Sequence, residues 1–278
     1  MLVSHQVTTI TVKAAEKFGF PIILETLLPG KMLRTAFANR LLEADIRETG
    51  LDHLVAACVA TELVHTASLC HDDVIDNGLI RRGIDSLWRT TNPSCAVLIG
   101  DILLTESIRV LLNSCDNLIV RNFISKVEEV CITEAQHEFL WRDRKIDETT
   151  CLKIARGKTG PLFGFIGYVF GGENPHLSSL VEEAGYLIGI AYQLFDDYID
   201  ITGDETIYGK TLQSDMKRGK YTFPRLNNSA DVFNKIHDTI ESAMNCVKEW
   251  PRVKRGIESF LDNEMEPFFN KIHVENAK

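Results

Sequence analysis

The sequence has little that would place it among nucleic-acid-binding or membrane-spanning proteins. Its 278 residues hold 30 Lys and Arg against 39 Asp and Glu, a formal net charge of −9, and that sign repels a phosphate backbone. No apolar run reaches the roughly 20 uncharged residues that span a bilayer, and residues 1–10 lack the basic start of a signal peptide. We expect no nucleic-acid partner, no transmembrane segment and a cytoplasmic location.

Disulfide and zinc frameworks are also missing. The seven cysteines are scattered, odd in number and form no Cys-x-x-Cys pair: Cys58, Cys70, Cys95, Cys115, Cys131, Cys151 and Cys246. Most lie in apolar runs with helical spacing, so we expect small core residues in a reducing compartment.

Strand signals are scarce as well. Few β-branched runs alternate with period two, and strands do not alternate with helices. No low-complexity linker divides the chain. The pattern therefore predicts an all-α protein, with residues 1–278 forming a single domain of about ten or more helices.

The most informative feature that is present is an aspartate cluster at residues 65–76. It ends an apolar run that begins near Leu51 and contains no Gly or Pro before Gly78, which is typical of a buried helix. At about 100° per residue, Asp72 and Asp76 share a face and Asp73 lies beside them. Three such carboxylates repel one another, so a cation should offset them.

A second cluster repeats this spacing downstream. Asp196, Asp197 and Asp200 end another apolar run that starts near Val181. One such cluster is usually a solvated helix end, but two on buried helices suggest facing walls of one cavity. Mg²⁺ fits best, with Mn²⁺ as an alternative, because it takes one or two carboxylates and completes its shell with water and phosphate oxygens.

Basic residues accompany both clusters and predict a ligand that carries several phosphate groups. They are Lys31, Arg34, Arg81, Arg82, Lys158, Lys210, Lys217 and Lys220. The Gly-Lys-Thr sequences at 157–159 and 209–211 lack the earlier glycine and the strand of a phosphate-binding P-loop, which excludes that motif. His65 could be a core histidine, and His71 with Asp72 could be half of a metal phosphohydrolase site.

These motifs, in this order, resemble the trans-isoprenyl diphosphate synthases of the polyprenyl synthetase family, most closely the medium- and long-chain enzymes. The resemblance extends from about Pro29 to Pro224 and rests on residues 30–34, 65–76, 79–83, 100–101, 158–160, 195–200, 202–204, 209–210 and 219–220. It implies an isoprenoid synthase bundle around a deep central cavity, usually dimeric. One departure is visible, because Pro29 and Thr35 stand where the family usually has Gly and Pro.

The resemblance also implies roles for individual residues. The six aspartates would hold Mg²⁺ on an allylic diphosphate, which Arg81, Lys158, Lys210 and Lys220 would bind directly. Lys158, Thr159 and Gln193 would lie near the reacting carbon. Isopentenyl diphosphate would be bound by Lys31, Arg34, His65 and Arg82.

Product length depends in such enzymes on the residues one turn before the first cluster. Ala67 and Ser68 are small here and Val64 is moderate, so the resemblance predicts an open tunnel and a product longer than farnesyl, in the hexaprenyl-to-decaprenyl range. Geranylgeranyl is the alternative if Phe123 or Phe139 forms a deeper floor. A terpene cyclase and a non-catalytic subunit of a heteromeric synthase are the competing functions.

Overall fold

The computed structural model describes residues 5–9, 12–13, 19, 30–45, 50–203, 212 and 214–265, without the side chains of residues 214 and 217. Within these ranges the chain forms eleven numbered α-helices and a two-stranded hairpin, which confirms the all-α prediction. The helices are α1 Leu33–Ala44, α2 Leu51–Ile75, α3 Leu87–Thr90, α4 Pro93–Ser114, α5 Asn117–Gln136, α6 Glu148–Gly171, α7 Pro175–Thr202, α8 Ser214–Lys217, α9 Phe223–Leu226, α10 Ser229–Cys246 and α11 Pro251–Phe260. Two π-helical turns, His137–Trp141 and Leu261–Met265, follow α5 and α11.

Helix α2 carries the first aspartate cluster and lies in the core. It starts after Gly50, whose φ of 82° lies in the left-handed region that favours glycine. By length and composition α2 could cross a membrane, but 78% of its most apolar window is buried inside the protein. The apolar character of α2 is therefore accounted for by packing against neighbouring helices.

Helices α6 and α7 pack closely through glycines, and residues 152–170 of α6 form a glycine-rich run. A Cβ added to Gly189 would lie 2.6 Å from the Cα of Gly160, and one added to Gly185 would lie 2.6 Å from the carbonyl oxygen of Phe163. The backbones therefore meet directly beside Thr159 and Gln193, which fixes the distance between these two side chains.

A short hairpin follows the first aspartate cluster. Strands β1 Ile80–Arg81 and β2 Ile84–Asp85 are antiparallel, with Arg81 paired to Ile84. The hydroxyl of Ser86 and the indole N–H of Trp88 donate to the carbonyl oxygen of Gly78 at 2.6 and 2.7 Å. These bonds hold the hairpin, and thus its arginines, against the end of α2.

Candidate active site

The first aspartate cluster is already paired with arginines. Asp73 is buried, and the Nη2 and Nε of Arg81 donate to its Oδ1 at 2.5 and 3.1 Å. Asp76 forms an ion pair with Arg218. Burial raises the pKa of Asp72, although the nearby ammonium of Lys158 opposes that shift. The cluster is thus an anionic site with built-in counter-charges.

Lys158, on α6, faces the cluster from across the site. Its Nζ lies 2.8 Å from Oε1 of Glu134 on α5. Burial lowers the pKa of Lys158, but Glu134 and Asp72 raise it by more, so the net shift is upward. Lys158 is therefore a permanently charged ammonium at the place where the resemblance predicts a diphosphate.

The second cluster is tied to α6 by a chain of hydrogen bonds. The hydroxyl of Thr159 donates to Gln193, whose amide nitrogen donates to Oδ1 of Asp197 at 2.7 Å. Burial, together with Asp215 nearby, raises the pKa of Asp197 well above its usual value. The backbone N–H of Asp215 approaches Oδ2 of Asp200 at 3.4 Å.

Glu138 joins the two sides of the acidic region. It lies on the π-helical turn after α5, and such turns are frequent at functional sites. Its Oε1 accepts from Arg218 at 2.6 Å and lies 2.9 Å from Nζ of Lys220, while its Oε2 accepts from Arg142 at 3.3 Å. Lys220, a predicted diphosphate ligand, is buried where it contacts Glu138.

A separate cationic region forms around Arg34 at the start of α1. Arg34 is buried, and its guanidinium carbon lies 5.3 Å from the ring centroid of Phe163. Among the residues that the structure describes, its Nε has no hydrogen-bond partner. The buried Glu62 faces it and accepts from the N–H and hydroxyl of Thr35 at 3.3 and 3.0 Å. Thr35 thus supplies a donor that the family's proline lacks.

Arg82, His65 and Tyr192 complete this region. A Cβ on Gly30 would lie 2.7 Å from the guanidinium carbon of Arg82, so glycine permits their close approach. Burial and the guanidinium groups of Arg34 and Arg82 lower the pKa of His65 well below its usual value. Burial and Asp196 raise the pKa of Tyr192, while Arg34 opposes the rise, which places Tyr192 between the two regions.

The predicted metal ligands do not form a complete cage. No group of three or more His, Cys, Asp or Glu side chains in the described ranges is arranged to hold a metal ion. The carboxylate side chains nevertheless suit a hard divalent cation. Burial disfavours the negative charges of Asp72 and Asp197, and a bound cation would stabilise those charges. Mg²⁺ needs only one or two carboxylates and fills its remaining positions with water and phosphate.

The phosphohydrolase alternative gains no support from His71. Its Nε2 lies 3.2 Å from the carbonyl oxygen of Val97 and 3.3 Å from Oδ1 of Asp101, which belong to α4. This histidine therefore connects two helices, and no further histidine joins it in a metal-binding group among the described residues.

The residues predicted to control chain length lie below the first cluster. Val64 and Ala67 are buried, and the hydroxyl of Ser68 donates to the carbonyl oxygen of His65 at 2.9 Å. Phe123 is fully buried and its ring centroid is 5.0 Å from that of Phe165. Phe139, the other suggested floor residue, is 85% exposed and does not form a floor within this chain.

Sequence reasoning missed four charged residues of this site: Glu62, Glu134, Glu138 and Arg218. Charged residues on helices usually mark a solvated face, so only the fold shows that these lie inside. Of the residues predicted to bind a diphosphate, Lys31 is exposed and Lys210 lies outside the described residues.

Two solved structures share this fold. A geranyltranstransferase from Thermotoga maritima superposes with a TM-score of 0.75 at 20% identity and covers 94% of this chain and 97% of its own. A Helicobacter pylori geranyltransferase, complexed with magnesium and isoprenyl diphosphate, superposes with a TM-score of 0.73 at 21% identity. It covers 92% of this chain and 96% of its own. At these identities the likeness shows the fold.

Sequence comparison identifies the family. The polyprenyl synthetase profile matches residues 21–255. A geranylgeranyl diphosphate synthase of Methanosarcina mazei is 31% identical over 79% of this chain and 71% of its own length. A nonaprenyl diphosphate synthase of Rhodobacter capsulatus is 31% identical over 64% of this chain and 55% of its own length. The chain thus spans 55% to 71% of the length of these two relatives. The chain belongs to the polyprenyl synthetase family.

Proposed function

We propose that this protein condenses isopentenyl diphosphate with an allylic prenyl diphosphate and makes a trans-prenyl diphosphate longer than farnesyl, using Mg²⁺ or Mn²⁺. The observation that carries the proposal is the presence of two separate polar regions. One holds six aspartates with Arg81 and Lys158, and the other holds Arg34 and Arg82 around Glu62. A reaction between two diphosphates needs two such regions.

The chain's residues divide the chemistry between these regions. A bound divalent cation would stabilise the charge of the departing diphosphate. Lys158 and Arg81 would hold that diphosphate, and their fixed positions provide preorganised electrostatic stabilisation. Arg34, whose buried Nε has no hydrogen-bond partner among the described residues, would bind the second diphosphate. The apolar core beneath would exclude water from the carbocation.

Product length follows from the residues below the aspartates. The small buried Ala67 and the partly buried Ser68 support growth beyond farnesyl, with the hexaprenyl-to-decaprenyl range as the sequence-based prediction. The fully buried pair of Phe123 and Phe165 favours geranylgeranyl as the alternative. Relatives are named as geranylgeranyl and nonaprenyl diphosphate synthases, so both lengths occur among similar chains.

A homodimer is part of this proposal, as is a cytoplasmic location. Apolar side chains on α4 and α5 are exposed: Leu98, Leu112, Leu118, Ile124 and Ile132. Apolar patches of this kind commonly mark protein interfaces, and a second copy would cover them.

The competing functions differ in what they require. A terpene cyclase needs no second diphosphate site, so the cationic region around Arg34 argues against it. A non-catalytic subunit does not need intact metal ligands, and here all six aspartates are present. A relative from Bacillus subtilis that is 28% identical is named heptaprenyl diphosphate synthase component 2. Whether this chain is active without a partner subunit therefore distinguishes the two functions.

The experiment is prenyl transfer by the purified chain alone, with radiolabelled isopentenyl diphosphate, geranyl or farnesyl diphosphate, and Mg²⁺. We expect acid-labile products longer than farnesyl, and loss of turnover by orders of magnitude in excess chelator and in Asp72→Ala and Asp196→Ala. Full activity with chelator, or cyclic hydrocarbons without isopentenyl diphosphate, would contradict the proposal.

A further inference from the structure

Arg218 lies in an unusual place for a residue outside the aspartate motifs. It follows the short helix α8, and its side chain is 10% exposed. One guanidinium nitrogen forms the ion pair with Asp76, while the other donates to Oε1 of Glu138 at 2.6 Å. Arg218 thus joins the last carboxylate of the first cluster to the π-helical turn after α5.

The backbone around Arg218 is held in the same position from two sides. Asp143 donates its N–H to the carbonyl oxygen of Gly219 at 3.0 Å, and Lys220 donates its N–H to the carbonyl oxygen of Asp215 at 2.9 Å. Gly219 has a φ of +71°, which allows the chain to reverse directly after Arg218. The guanidinium is therefore placed by a folded turn.

A guanidinium and a divalent cation have opposing requirements at Asp76. The arginine contributes a positive charge at the carboxylate, and a second positive charge there would be repelled. A carboxylate engaged by an arginine also has fewer lone pairs free for a metal. Arg218 in this position therefore opposes metal binding at Asp76.

We propose that Arg218 is the resident cation of Asp76 in the metal-free chain and competes with the metal ion for that carboxylate. Without diphosphate, this competition lowers the affinity of Asp76 for the metal ion. A bound diphosphate raises that affinity, because it gives the released guanidinium a new anionic partner. Arg218 is then a positioning residue for the metal site. This inference rests on the proposed function, since it assumes that the aspartates bind metal.

Arg142 provides a matched control. It also donates to Glu138, at 3.3 Å, but its other ion-pair partner is Asp143 and its side chain is 46% exposed. Arg142→Gln removes the same charge next to the same glutamate without removing a partner of Asp76. The comparison therefore tests what is specific to losing the partner of Asp76.

The test is a titration of the full chain with Mn²⁺, followed by electron paramagnetic resonance of the free ion, without diphosphate. Arg218→Gln should bind Mn²⁺ at least threefold more tightly than the wild type, and Arg142→Gln should match the wild type. Equal or weaker binding by Arg218→Gln would overturn the inference, as would equal tightening in both variants. Arg218→Met, which fills the same volume, serves if the Gln variant does not fold.

Two measurements on the wild type complete the design. The guanidinium Nε resonance of Arg218, assigned with Arg218→Lys, should shift on addition of Mg²⁺ alone, and an unchanged resonance at metal saturation would contradict displacement. A wild type that binds no Mn²⁺ even with inorganic pyrophosphate would instead refute the proposed function. Wild-type binding with no difference in Arg218→Gln would refute only the inference.

Discussion

Phe123 should set the depth to which the product can grow. It lies eleven residues before Glu134 on α5, and Phe165 lies seven residues after Lys158 on α6, so both rings face the same way as the Lys158–Glu134 pair. At 1.5 Å per residue, the rings are roughly 10 to 16 Å deeper than that pair. An isoprene repeat has four bonds and extends by roughly 5 Å, at about 1.2 Å per bond as in extended backbone. About two to three repeats therefore fit above the rings, and a tail longer than farnesyl has to pass beside them.

A cavity lies at the other end of these helices, beyond the ring pair. This cavity has a volume of about 520 Å³ and is lined in part by Leu54, Ile119 and Val169 at the far end of the helices. Ile119 is four residues before Phe123, and Val169 is four residues after Phe165, so both lie directly beneath the rings. Removing the Phe123 ring should open a path from the polar site toward this cavity.

We therefore expect Phe123→Ala to lengthen the product by at least one isoprene repeat, measured by chromatography of the dephosphorylated alcohols. The substitution should also cost about 3–5 kcal/mol of stability, as large cavities in cores do. Phe260→Ala is the control, because Phe260 is equally buried but packs against Phe37 and Phe163. An unchanged product, with a stability loss like that of the control, would show that the tail does not pass this pair.

Further predictions concern a larger side chain below the first aspartate cluster, the packing of α6 against α7, and the loss of stability at low pH. Ala67→Phe should fill the buried space below Asp72 and shift the product toward farnesyl; an unchanged chain length would place the tail elsewhere. Gly189→Ala should force the backbones of α6 and α7 apart near Gly160, costing about 1–3 kcal/mol and lowering the melting temperature by roughly 2–10 °C; an unaltered melting temperature would contradict the close packing. Burial and the charge of Lys220 lower the pKa of His137 to about 4. Because this value is below that of the unfolded chain, about 6.5, stability should fall as the pH decreases from about 6.5 to 4, by up to about 3 kcal/mol. His137→Gln should flatten that dependence in denaturant titrations, and an equally steep loss in the variant would assign it to other groups.

Much of the architecture could be predicted from the sequence because its two central helices are long and apolar. The runs that end in Asp72–Asp76 and Asp196–Asp200 are helices α2 and α7, and the glycine-rich run is α6. The hairpin after α2 was not predicted, since strands of two residues carry no detectable period. Its effect is local, because it places Arg81 against Asp73.

The acidic and cationic regions were predictable only in part. The aspartates and arginines were found by their spacing, which is a property of one helix or loop. Glu134 and Glu138 come from a different helix, and their role as partners of Lys158, Lys220 and Arg218 depends on how α5 packs. A π-helical turn adds a residue to the helical repeat, so the direction of Glu138 does not follow from a period of 3.6.

The most direct test of the account is a reciprocal measurement of Michaelis constants in Arg34→Ala and Lys158→Ala. The loss of a charge-assisted hydrogen bond costs about 1.5–3 kcal/mol, equivalent to roughly a 10- to 100-fold change. Arg34→Ala should raise the constant for isopentenyl diphosphate by about this factor and leave that for the allylic diphosphate nearly unchanged, and Lys158→Ala should do the reverse. Equal effects on both substrates in either variant would contradict the assignment of two separate diphosphate sites to one chain.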